Sequence, residues 1–224
     1  MPRFEIHQDQ DGVVQRILKD GDPFDGHLRL ELPHAIVTAY FSAATQNLSA
    51  MNSDASVQVL RLHGLQCFLM SLVGLEAFIN IFFHLRSRET HDEAMRGHAT
   101  SNKTVESKLA GLPRRGYGKP LHGQKLLNRR IKELYALRSA IVHPKWEPVS
   151  ATFTAGFNFD GLVQNFQAQF ENRDFCYETM KWCLVVVCRV GSLAGATPNE
   201  AFCRRWTGIS IDNEYLSTSL GIPA

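Results

Sequence analysis

Residues 56 to 86 read SVQVLRLHGLQCFLMSLVGLEAFINIFFHLR, and this run decides the fold. Apolar side chains recur on most faces of a helix drawn through it, the pattern of a helix enclosed by others. Asn52, Ser53 and Asp54 stand before it as cap candidates. The run therefore predicts the central helix of a bundle. Gly64 and Gly74 weaken its intrinsic propensity but leave room for a neighbouring helix to come close. A membrane span is the competing reading of Leu62 to Leu85, yet His63, Gln66, Glu76, Asn80 and His84 interrupt it. A second apolar stretch, Cys183 to Ala196, is shorter than the roughly 20 residues a span needs. Both read as core helices, so no membrane is expected.

Working outward, residues 1 to 32 carry FEIHQ, VVQRIL and HLRLEL, short extended runs separated by DQDG and DGDPFDG. They predict a β-hairpin or an irregular N-terminal arm. A helix follows from Pro33 to Ala50, with Pro33 suited to its first turn. From Arg86 the chain turns polar, with a short helix expected over Lys103 to Leu112 and then the stretch LPRRGYGKPLHG read as a loop. Gly111 and Gly116 are followed by Tyr117 instead of lysine, so the loop is not a phosphate-binding P-loop. KLLNRRIKELYALRSAIVH, Lys125 to His143, forms an amphipathic helix closed by Pro144. Residues 147 to 170, rich in Phe and Gly, suggest a packed loop with short strands. A last long helix is expected over Asn172 to Gly195, and residues 197 to 224 form a tail laid over the bundle. The expected architecture is thus all-α, a helical domain over 33 to 196 with extensions at both ends.

Composition agrees with a single folded domain: 44% hydrophobic and 21% charged residues in 224 exclude wholesale disorder and fibrous repeats. The opening MPRFEIHQDQDG lacks the apolar stretch of a secretory signal. The five cysteines contain no C-x-x-C pair and need no oxidising compartment. A cytoplasmic location with buried free thiols, no metal and no cofactor is the expectation.

Charge is segregated along the chain. Between Lys103 and Lys145 eleven basic residues meet two acids, a net +9, which leaves −7 for the remainder of a chain whose formal net charge is +2. Cations gathered on one loop and one helix suit a polyphosphate backbone, whose binding is driven by counterion release. A solvated helix face is the competing reading. Arg114, Arg115, Lys119, Lys125, Arg129, Arg130, Lys132 and Lys145 are the candidate RNA contacts.

Within this segment residues 134 to 145 read LYALRSAIVHPK, placing Arg138 and His143 in an R-x-x-x-x-H spacing. Arg29 to His34 and Arg86 to His91 share the spacing. The first spans Leu32-Pro33, however, and the second lies in polar SRETHDE at a helix end. Only the third sits in an amphipathic helix inside the basic segment. At about 100° per residue, Leu127, Ile131, Leu134, Arg138 and Ile141 share one stripe, so Arg138 interrupts an apolar face. A cation there must be paired or used, because an uncompensated buried charge costs several kcal/mol. Glu76, with Asn80 one turn further on, raises the same question in the central helix. An internal Arg138-Glu76 salt bridge is the non-chemical answer.

The motif LYALRSAIVH together with GLEAFINIFFHL resembles the HEPN superfamily over about residues 33 to 196. That resemblance implies a helical bundle that pairs into a homodimer, and a metal-independent endoribonuclease whose R-x-x-x-x-H residues meet across the pair. On this reading His143 transfers protons near neutrality, Arg138 holds the scissile phosphate, and Ser139, Glu76 and Asn80 support them. The RNA 2′-hydroxyl is the nucleophile, leaving a 2′,3′-cyclic phosphate (or 3′-phosphate) and a 5′-hydroxyl. A toxin or defence effector restrained by an antitoxin-like protein is the implied setting. Ser139 stands where active members often carry Asn, Asp or His after the arginine. On one regular helix the two side chains lie about 140° and 7.5 Å apart, so they converge only if the last turn bends or two subunits contribute. A noncatalytic HEPN-like module binding RNA, a nucleotide or a protein is the second expectation. A structural dimer carrying an Arg138-Glu76 packing pair is the third. His84, His91 and His98 recur every seven residues, about 10.5 Å apart on a helix, too far to share a metal. They read as surface histidines, and His63 as a satisfied core histidine.

Overall fold

FEIHQ and the run after it become strands β1 (Phe4–Gln8) and β2 (Val14–Lys19), paired antiparallel with Ile6 opposite Ile17 and an irregularity at His7/Gln8. Asp20 and Gly21, at φ 55° and 94°, turn the chain into β3 (Asp22–Pro23), which pairs with Lys19 and Leu18. Two positive-φ residues in a two-residue loop match the twist of the flanking strands, which explains the Asp-Gly here. The structure, a computed structural model, describes residues 4–8, 14–25, 33–143, 168–196 and 199–210. The HLRLEL run and the Phe/Gly-rich stretch up to residue 167 lie outside the described residues. The chain divides into two units, Met1–Leu32 with this sheet and Pro33–Ala224 with the helices.

Seven α-helices are described in the second unit, making it the helical bundle that the apolar periodicities predict. Helix α1 (Ala35–Ala50) follows His34 as its N-cap, so Pro33 stands just before the helix and not in its first turn. It buries Val37, Phe41, Ala44 and Leu48, one face at helical spacing. Helix α2 (Val57–Glu89) is the central rod, 33 residues and therefore about 50 Å long. Its N-cap is Ser56, whose hydroxyl accepts from the Val59 N–H, while Asn52 to Asp54 form the preceding turn. The cap falls there because Asn52 bonds within that turn, to the Asp54 and Ala55 amides. By length and composition α2 could cross a membrane, but half of its most apolar window is buried among the other helices. Both of its glycines mark close approaches. A Cβ on Gly64 would collide with the Phe170 carbonyl, and one on Gly74 would lie 3.0 Å from the Phe41 ring of α1.

Asp92 caps α3 (Glu93–Thr100) by accepting from the Met95 N–H. Helix α4 (Val105–Tyr117) overturns the expectation of a loop at LPRRGY: it runs through Pro113 to Tyr117 and ends at Gly118. Proline cannot donate to the Leu109 carbonyl one turn back, and the Gln124 side-chain amide supplies the missing donor at 3.1 Å. Helix α5 (Gln124–Val142) ends on His143 as its C-cap, close to the predicted bounds. A 3-10 turn (Ala168–Glu171) packs on α2 and ties to it through Glu171 and Arg61 at 2.5 Å. Asn172 then caps α6 (Arg173–Leu193), accepting from the Asp174 and Phe175 amides, much as predicted. Part of the expected tail is helix α7 (Asn199–Thr207), packed against α6 and α1. Trp206 of α7 meets Phe78 of α2 edge to face at 5.1 Å, a geometry worth about 0.5–1.5 kcal/mol beyond the area it buries.

Candidate functional site

Helix α5 docks through Leu127, Ile131 and Leu134, all at most 2% exposed. Arg138 comes next on that stripe, where the helix leaves the core, and its side chain is 31% exposed. Its Nη1 lies 3.7 Å from Oε2 of Glu76 on α2, whose side chain is 37% exposed. That separation exceeds hydrogen-bond range, so the contact is one of charge. The Tyr135 ring lies 5.7 Å from the guanidinium carbon, and the Arg138 Nε is enclosed without a hydrogen-bond partner among the described residues. Arg138 is thus neither sealed in the core nor fully free.

Tyr135 pins the two helices together, its O–H donating to the Leu72 carbonyl at 2.6 Å. Burial drives its phenol well above the ordinary range, and Cys183 and the Glu76 and Glu106 carboxylates add to the effect. Asn80 does not serve Arg138. Its carbonyl oxygen accepts from Lys108 Nζ at 2.7 Å, and the same ammonium donates to the Ala99 carbonyl at 2.9 Å. Lys108 is 2% exposed. Burial lowers its pKa, and the nearby Glu76 carboxylate works in the opposite direction.

His143 lies at the other side of the helix end, exposed, with its N–H donating to the Ser139 carbonyl at 2.9 Å. Among the described residues no hydrogen bond joins it to Arg138. It shares a face with the cations instead. Lys125, Arg129, Lys132, Ser139 and His143 are all exposed, and at 100° per residue they fall on one solvent stripe about 27 Å long. Arg114 and Lys119, at the end of α4 and in the loop after it, are exposed as well. Arg115 is engaged by Asp92 at 2.7 Å and Arg130 by Glu133 at 3.0 Å. The Arg115 hydrogen bond is the main reason the Asp92 carboxyl sits below its usual range. Lys145 and Pro144 lie outside the described residues.

No family model, curated protein or solved structure matches the chain.

Several residues of the site escaped the sequence reading. Lys108 breaks the apolar stripe Val105, Leu109, Leu112 of α4, all buried. Like Arg138 on α5, Lys108 is a cation on an apolar stripe, a signal present in the sequence. Glu106 and Asn128 each keep an enclosed oxygen without a hydrogen-bond partner among the described residues; being polar in amphipathic helices, they carry no such signal. His98 is half-buried and not a surface histidine, for its ring packs on Gly111 and its Nε2 is enclosed. Burial first, then Lys103, Lys108 and Arg115, lower its pKa. His63 is half-buried with its Nδ1 2.8 Å from Asn47 Oδ1. The second R-x-x-x-x-H arginine, Arg86, is dressed like Arg138: Glu89 stands at 3.0 Å and the Tyr117 ring at 4.9 Å. Its carboxylate comes from its own helix, whereas that of Arg138 comes from a neighbour. Among the described residues no group of His, Cys, Asp and Glu could hold a metal.

Proposed function

We propose that the chain binds RNA along the solvent face of α5 and cleaves it as a metal-independent endoribonuclease of HEPN type, working as a homodimer. One observation carries this reading: Lys125, Arg129 and Lys132 line up with His143 on one exposed stripe. About 140° round the helix from His143, Arg138 stands 3.7 Å from Glu76, outside hydrogen-bond range, with its side chain 31% exposed. The stripe holds a phosphate backbone by charge. His143 removes the proton from the 2′-hydroxyl as it attacks the adjacent phosphorus, and returns one to the leaving 5′-oxygen. Arg138 stabilises the charge that gathers on the phosphoryl oxygens. Because the two side chains of one helix point about 140° apart, the arginine of one subunit serves the histidine of the other. The cell setting consistent with such an enzyme is cytoplasmic, as a toxin or defence effector restrained by an antitoxin-like protein.

The test is incubation of the purified chain with RNA in EDTA, beside Arg138→Ala and His143→Ala. The expected result is cleavage to 2′,3′-cyclic phosphate and 5′-hydroxyl ends, lost in each variant and partly regained when the two variants are mixed. Cleavage that neither substitution affects refutes the site. A second reading, favoured by the Arg138–Glu76 contact itself, is a noncatalytic RNA-binding bundle in which the pair only fixes the packing of α5 on α2. Salt-sensitive RNA binding without cleavage in the parent protein selects it.

A further inference from the structure

Lys108 enters the bundle from α4 on the stripe of Val105, Leu109 and Leu112, and it is the one buried cation among the described residues. Both of its acceptors are neutral, the Asn80 side-chain oxygen at 2.7 Å and the Ala99 carbonyl at 2.9 Å. The carboxylate closest to Asn80 along α2, Glu76, faces Arg138 instead. A charge so placed is costly to bury, and a methionine would fill the same space without that cost. Glu76 stands one turn before Asn80 on the same side of α2, about 6 Å along the axis. Its carboxylate therefore has a cation on either side: Arg138 from α5 at 3.7 Å, and Lys108 from α4, held one turn further on by Asn80. That turn is shorter than the roughly 8 Å over which physiological salt screens a charge. The ammonium registers the carboxylate, for burial lowers its pKa and Glu76 raises it again.

We propose that Lys108 is a positioning residue for Arg138: anchored by Asn80 and Ala99, its ammonium divides the pull of Glu76, so the carboxylate stays beyond hydrogen-bond range of the guanidinium and leaves it for phosphate. This role rests on the reading of Arg138 as the phosphate-holding group. A carboxylate between two cations is attracted by both and closes on neither. With the ammonium gone, Glu76 needs to move only the roughly 1 Å that separates the present 3.7 Å from a charged hydrogen bond. Lys108 also keeps the potential around Arg138 positive, which attracts an anion even though the ammonium itself is out of reach of one. Asn80 is the hinge of the arrangement, since its side-chain oxygen fixes the ammonium at this level of α2 and not elsewhere along the helix.

The experiment measures the coupling of Glu76 with Arg138 twice, by urea denaturation of a Glu76→Gln, Arg138→Met cycle in the parent chain and again in Lys108→Met. The expected coupling constant is about fivefold larger once the ammonium is gone, the equivalent of one hydrogen bond. Lys108→Gln, which can still donate to Ala99, gives the same sign and serves where the methionine variant fails to fold. Binding of a short 2′-O-methyl RNA, which cannot be cleaved by 2′-hydroxyl attack, is measured beside it at fixed salt. Affinity is expected to fall about fivefold in Lys108→Met and to return to the parent value or above in Lys108→Met/Glu76→Gln. A merely structural loss is not restored by the second substitution. A coupling that is unchanged or smaller in the Lys108 variants, or a loss of affinity that Glu76→Gln does not restore, overturns the proposal. A parent chain that holds no RNA overturns the function given to the stripe, and the coupling, measured without RNA, still decides the place of Lys108.

Discussion

Changing Glu76 to glutamine keeps the size of the side chain and removes its charge; because that charge also acts on Lys108 and Tyr135, the contact with Arg138 is isolated by a cycle of variants. At 3.7 Å Coulomb's law gives about 4.5 kcal/mol in a medium of dielectric about 20 and about 1 kcal/mol in bulk water. The side chains are 31% and 37% exposed, and ordering them opposes the attraction, so a net of about 1 kcal/mol is expected. The assay is a double-mutant cycle of Glu76→Gln, Arg138→Met and the double variant, read by urea denaturation at low and high salt. A coupling of about 1 kcal/mol that shrinks in 1 M salt is the expected outcome. In the same variant a guanidinium released from its carboxylate should hold RNA about fivefold more tightly, the equivalent of 1 kcal/mol. A coupling of about 3–5 kcal/mol, insensitive to salt, is the signature of a sealed pair. That result, or weaker RNA binding by Glu76→Gln, refutes the reasoning.

Three further outcomes are expected. Arg114, Lys119, Lys125, Arg129 and Lys132 are exposed and without an ion pair among the described residues. If all five meet phosphates, log K for single-stranded RNA falls with log salt at a slope of about −3.5, and each replacement by glutamine flattens it by about 0.7. The pKa of His98 is held below its ordinary 6.5, mainly by burial. The unfolded chain therefore takes up the proton first as pH falls, and urea midpoints should drop below about pH 6.5 in the parent but less so in His98→Gln. Gly64→Ala gains about 1 kcal/mol of helix propensity but drives a methyl into the Phe170 carbonyl. Overpacking of about 2–3 kcal/mol prevails, seen as a lower melting temperature.

The parts of the fold legible in the sequence are those set by local pattern. The apolar run of α2, the stripe of α5 and the Asn172 cap of α6 each follow from neighbours in the chain, and the structure places them close to where pattern puts them. Helix α4 was not legible beyond Leu112, because its continuation through Pro113 relies on a side chain eleven residues later. Local pattern does not single out the Ser56 cap, because Asn52, Ser53 and Asp54 just before it are equally good cap residues and only the structure shows Asn52 engaged in its own turn. At the site, the apolar stripe of α5 marks Arg138 as a misplaced charge, and Glu76 in the apolar run of α2 is the matching carboxylate. The bond from Lys108 to Asn80 is not legible in the sequence, since it depends on α4 crossing α2 at this level.

The Gln124 bond to Leu109 reaches further than the helix it completes. The connection from Gly118 to Gly123 carries Lys119 and His122, and Leu121 within it is 2% exposed. Anchored at its middle by that leucine and at its far end by the glutamine, this basic connection is already arranged when the bundle is complete. The entropy of ordering it is lost during folding and not on meeting a polyanion. If RNA is the partner as proposed, its encounter rate is expected to be governed by long-range attraction, with no conformational search at the contact.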